Sequence, residues 1–216
     1  DTLSRRRRLG PFPGSARSCL LLSLVAAVAL MCAACVPFGG GSRLNPEQRS
    51  DLARAKSLES IEAFKRDVEP AIIRARNELL TRDNYRNYRG NDFIYEYPVG
   101  DQKLYSLLSR AYDFDEHDSV RVRAVFAGEL EPLGFVCRER TYTDNDGTTD
   151  LLFVWTSERY GAVVTVMVAE NWLTSTSYYT GYLRSDGSST DPKALADIPG
   201  RLPDWFAEVE SGTEGS

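Results

Sequence analysis

The chain has 216 residues, 42% of them hydrophobic, with 26 Lys+Arg against 31 Asp+Glu and a formal net charge of −5. An acidic balance of this kind argues against nucleic acid and against peripheral adhesion to anionic lipid. A single histidine excludes a zinc-binding histidine pair.

The chain opens as an export signal. Arg5, Arg6, Arg7 and Arg8 form a basic cluster, an uncharged and mostly apolar run follows over residues 19–36, and small residues close it at Ala33 and Ala34. Arginines stay cytoplasmic by the positive-inside bias, and small side chains give a peptidase access to the backbone. Cys35 directly follows the two alanines, the place of the lipidated first residue of a bacterial lipoprotein, although Cys32 stands where an aliphatic residue is usual. Two acyl chains give stable anchoring where one gives marginal binding. Cleavage without lipidation, giving a secreted domain, and retention of the run as a single-pass anchor are the alternatives; about 18 apolar residues is the short end of a spanning helix. The expected organisation is a signal peptide over residues 1–34, a lipidated Cys35 with a flexible tether over 35–44, one domain over 45–206 and a polar tail over 207–216.

Removing residues 1–34 takes away five arginines and one aspartate, leaving 21 basic and 30 acidic residues and a net charge of −9. With Cys19 and Cys32 in the signal and Cys35 acylated, Cys137 stands alone, so the domain rests on packing. Gly39, Gly40, Gly41 and Ser42 make the tether flexible. Asn45, Pro46 and Gln48 then start a helix, as cap, first-turn proline and capping-box partner. Ile61, Phe64, Val68, Ile72, Ala75 and Leu79 continue an apolar stripe to about residue 82, with a kink or break expected near Val68 because Pro70 lacks a donor. Residues 93–97 alternate as a strand and stop at Pro98. Leu104, Leu107, Leu108 and Ala111 give residues 102–112 the look of a short helix. A further helix is expected over 119–131, ended by Pro132 and Gly134. The period then switches to two: 135–143, 149–157 and 162–170 read as strands, with a fourth over 175–183. Short turns between them force an antiparallel meander. Apolar pieces around Ile198, Leu202, Trp205 and Phe206 are expected to cover a sheet edge or groove. The fold class is α+β, N-terminal helices packed on one face of an antiparallel β-meander of three to four strands.

The order of these features resembles the actinobacterial LppA-like lipoproteins. A lipobox-type cysteine precedes a tether and a helix opening Leu44-Asn45-Pro46-Glu47-Gln48. A later helix ends in Leu133-Gly134 and feeds a hairpin with an Asp146-Gly147 turn, followed by Val163-Val164-Thr165-Val166 and a close at Ile198-Pro199-Gly200-Arg201-Leu202-Pro203. The resemblance implies a lipoprotein on the outer face of the cell membrane with no assigned reaction. A cysteine of the family after the third strand is replaced here by Glu170-Asn171-Trp172.

Few residues suggest chemistry. His117 lies beside Asp113, Asp115 and Glu116, a set that can ligate a divalent cation, but acidic residues ahead of a helix also serve as caps. The run from Asp144 to Asp150 lacks the spacing of a calcium loop and reads as a hairpin turn. No Gly-x-Ser-x-Gly, His pair or phosphate loop occurs. Aromatic residues are plentiful: Tyr85, Tyr88, Tyr95 and Tyr97, then Trp172, Tyr178, Tyr179 and Tyr182. Aromatic faces stack on sugar rings and furnish protein contacts, and tyrosine also suits half-buried strand positions. The expectation is a non-enzymatic lipoprotein without a cofactor, held to the membrane by its N-terminal lipid. It contacts an envelope protein or glycan through Trp172, Tyr178, Tyr179 and Tyr182. An envelope hydrolase using Asp113, Asp115, Glu116 and His117 and a structural or folding-helper lipoprotein are the alternatives.

Overall fold

A computed structural model describes residues 44–143, 147–169, 172–197 and 202–213. The export segment, Cys35, most of the tether, Asp144 to Asp146 and residues 198–201 lie outside the described residues. Among the described residues no helix is long and apolar enough to cross a membrane.

Helix α1 (Pro46–Ser57) starts with the capping box: the Gln48 N–H donates to Asn45 Oδ1 at 2.8 Å and the Asn45 N–H donates to Gln48 Oε1 at 3.1 Å. A short α2 (Ile61–Ala63), capped by Ser60, runs into a π-helical turn (Phe64–Val68) and then α3 (Glu69–Leu79). The wide turn falls just ahead of Pro70, where the missing N–H disturbs the helical ladder. Helix α4 (Ser119–Leu130) is capped by Asp118, whose carboxylate accepts from the Arg121 N–H at 3.0 Å. Gly134, at φ 80°, turns the chain out of the short 3-10 helix that follows.

The strands are β1 (Tyr85–Arg89), β2 (Phe93–Val99), β3 (Gln102–Leu108), β4 (Ala111–Phe114), β5 (Val136–Thr143), β6 (Thr149–Ser157), β7 (Ala162–Ala169), β8 (Thr174–Thr180) and β9 (Leu183–Arg184). They form one antiparallel sheet of nine strands with the order β1-β4-β8-β7-β6-β5. The β2–β3 hairpin joins through β3 to β8 and β9. The expected meander is therefore β5 to β8 of a larger sheet, and three to four strands is corrected to nine among the described residues.

Residues 102–112 are also corrected, from helix to strands β3 and β4. Leu107 and Tyr105 enter the main core while Leu104, on the opposite face, enters a small cluster with Leu52 and Ala55 of α1. A strand buried on both faces loses its period of two and imitates a helix. Gly100 at φ 64° opens the two-residue turn between Val99 and Gln102, so the dipeptide Gly100-Asp101 was the hairpin signal. Strand β2 runs through Pro98 because it pairs on one side only, where a proline costs no ladder bond.

Only one bridge, Leu108 to Tyr179, pairs β3 with β8. Side chains reinforce it: the Leu107 N–H donates to Thr180 Oγ1 and the Ser106 hydroxyl to the Thr180 carbonyl, both at 2.9 Å. The Tyr178 N–H donates to Ser109 Oγ at 2.8 Å.

The main core lies between the helices and one face of the sheet. Phe64, Ile72, Leu79, Val122, Phe126 and Leu130 pack with Phe153, Trp155, Val164, Val166 and Tyr178 of the strands. Leu104 and Tyr97 belong to the side-chain set opposite Tyr105 and Leu107, so α1 packs on the other face of the hairpin. The helices are thus not all on one face.

Candidate functional site

Period-two alternation gives the sheet a second, outer face. One cross-strand row on it runs through Phe93, Leu108, Tyr179, Val163, Thr156 and Val136, each paired with the next. None of the six is buried, and Val136 is 63% exposed. Six strands at their usual separation make the row about 24 Å long. Tyr95, 53% exposed on the same face, meets the Phe93 ring edge-on at 4.2 Å. Burial pushes the Tyr179 hydroxyl above the usual tyrosine range.

Beside this row lie hydroxyls and one fixed charge pair. Thr165 and Ser177 oxygens are 2.9 Å apart. The Arg89 guanidinium donates to both oxygens of buried Asp113, at 2.9 and 3.0 Å, and to Ser175 Oγ at 2.9 Å. The outer face therefore offers aromatic and aliphatic contact area with hydroxyl donors.

The four aromatic residues expected to make one contact surface are dispersed. Tyr178 is corrected: it points inward, is 6% exposed, packs on Phe64 and donates its hydroxyl to Glu69 at 2.7 Å. Glu69 also pairs with buried Lys65 on the same helical stretch. Tyr179 faces out, as its neighbour in an alternating strand must. Tyr182 stacks on Tyr97 with centroids 4.7 Å apart, against the α1 cluster. Trp172 lies in the β7–β8 connection and is 44% exposed. Sequence reading missed Phe93, Leu108 and Val163, because only strand register brings them beside Tyr179.

The acidic set near His117 is engaged elsewhere. Asp113 is held by Arg89, and Asp115 pairs with Arg86. Glu116 pairs with Arg121 at 2.5 Å and accepts the N–H groups of His117 and Asp118 at 3.0 Å. A ring nitrogen of His117 lies 3.3 Å from the Ala169 carbonyl. Among the described residues no group of three or more His, Cys, Asp or Glu is placed to hold a metal ion. The cluster fastens the start of α4 to β1 and β7.

The C-terminal aromatics close the β1–β4 side of the core. Phe206 is buried against Tyr85, Tyr88 and Tyr112, and Arg110 lies over the Tyr88 ring at 4.6 Å. Helix α5 (Phe206–Thr213) continues from there into the segment 207–216 expected as a polar tail. Asn77, Leu80, Leu202, Pro203, Asp204 and Trp205 line a shallow cleft of about 240 Å³ beside it. Cys137 is half-buried and unpaired with another cysteine, and burial raises its thiol pKa, which lowers its reactivity.

Among known families, the one described as "Domain of unknown function (DUF4853)" matches residues 57–191, and the chain belongs to it. A crystal structure of a DUF4853 family protein from Actinomyces odontolyticus is similar at 16% identity with a TM-score of 0.46. The match covers 67% of this chain and 84% of that one. No curated protein matches the chain.

Proposed function

We propose that this DUF4853 member is an exported lipoprotein, acylated on Cys35 and held on the outer face of the cell membrane, whose domain binds an envelope glycan or protein without catalysing a reaction. The Arg-rich start, the apolar run and Ala33-Ala34-Cys35 support the location, as does the resemblance of the chain's order to the LppA-like lipoproteins. The observation that carries the binding reading is the outer row from Phe93 to Val136 with exposed Tyr95: half-buried to exposed contact area on the face of the sheet opposite the main core.

The test pairs two measurements on the full chain. The mass of the mature N-terminus from membranes should carry two or three acyl chains on Cys35, and Cys35→Ala should release the protein to the medium. Retention on isolated cell walls should then fall at least tenfold in a Tyr95→Ser/Tyr179→Ser variant whose Tm stays near that of the parent. An unmodified N-terminus overturns the anchoring, and unchanged retention overturns the binding face.

A further inference from the structure

The strand order ends at β5, which pairs over eight residues with β6 on one side; among the described residues no strand lies on its other side. Half of its backbone N–H and C=O groups therefore point outward, a template for another strand. All its residues except Cys137 are exposed. Arg138 and Arg140 project from the outer face, about 6.6 Å apart, and Glu139 projects from the other. Neither arginine forms an ion pair among the described residues, whereas Arg74, Arg86, Arg89, Arg110, Arg121 and Arg159 all do.

The charge order selects the partner. A second copy pairing antiparallel about the middle of β5 sets Arg138 against itself or Arg140, or Glu139 against itself, and like charges directly opposite are destabilising. A strand with carboxylates at alternate positions and a base between them meets Arg138, Glu139 and Arg140 with opposite charge at every step. We propose that β5 is a docking edge for an extended acidic segment of another protein, which adds to the sheet as a tenth strand. Backbone hydrogen bonds supply the affinity and the two arginines set register and choice.

The probe is the blocked, fluorescein-labelled peptide Thr-Val-Glu-Lys-Glu-Val-Thr, titrated against the full chain by anisotropy. Hydrogen exchange is followed in parallel over residues 136–143. Binding is expected at high micromolar Kd, with slowed exchange in that stretch. It should weaken at least tenfold for the charge-reversed peptide Thr-Val-Lys-Glu-Lys-Val-Thr and for a backbone N-methylated form of the first. The Arg138→Glu/Arg140→Glu variant should exchange these preferences, binding the charge-reversed peptide better. Equal binding of both charge patterns, or slowing confined to other strands, overturns the proposal. So does equal binding of the N-methylated peptide, which would make the edge a patch for any polyanion, an acidic glycan included. The Tyr95→Ser/Tyr179→Ser variant should keep peptide binding, so failure of the outer-row reading is told apart from failure of this one.

Discussion

The two faces of the sheet carry the same strands and opposite burdens. The inner face places Phe153, Trp155, Val164, Val166 and Tyr178 under three helical segments, and every one of them is buried. The outer face places Thr156, Val163, Thr165 and Tyr179 one residue away from these, each only half-buried. Stability is concentrated on one side of a layer, which leaves the other side free to vary in chemistry without unfolding the protein.

That contrast can be broken most strongly from the inside. Phe64→Ala removes a fully buried ring against Tyr178 and should cost about 3–5 kcal/mol, read as a fall in the denaturant midpoint. Glu69→Gln removes the carboxylate charge that faces the buried Lys65 ammonium and should cost about 3–5 kcal/mol by the same measurement. Tyr178→Phe, which removes a single hydroxyl donor to Glu69, should cost about 1–3 kcal/mol. On the outer face, Tyr95→Ser should change stability by less than about 1 kcal/mol, with the loss appearing in wall retention. Similar destabilisation from Tyr95→Ser and Phe64→Ala would show that the faces do not divide the work.

The smallest effect concerns acid. Ser188 and Ser60 hydrogen bonds hold the exposed Asp186 carboxyl below its usual value of 3.8. A depressed folded pKa means that this contribution is present above pH 3.8 and is lost as pH falls through the folded value. Asp186→Asn should therefore lower stability slightly at neutral pH and leave it unchanged in strong acid, which flattens the acid limb of the stability curve.

Local signals predicted local structure well. The capping box at Asn45, the break at Val68 ahead of Pro70, the helix after Asp118 and the meander from Val136 to Thr180 each depend on neighbours in sequence. What stayed hidden depends on distant partners. β1 acquires its role by pairing with β4, and β3 is masked by burial of Leu104 on one face and Leu107 on the other. The outer row had no sequence signature, since Phe93, Leu108 and Tyr179 become neighbours only through register. Tyr178 and Tyr179 read alike in sequence, and alternation sends one to the core and the other to the surface.

The single bridge between Leu108 and Tyr179 has a kinetic consequence. The β2–β3 hairpin can form early from near neighbours, as can the β5–β8 meander, but the row that joins them waits for the long connection between residues 108 and 179 to close. The outer row is complete only once the domain has folded. A ligand that needs its whole length therefore has no site on either piece alone, and binding to it reports a finished molecule.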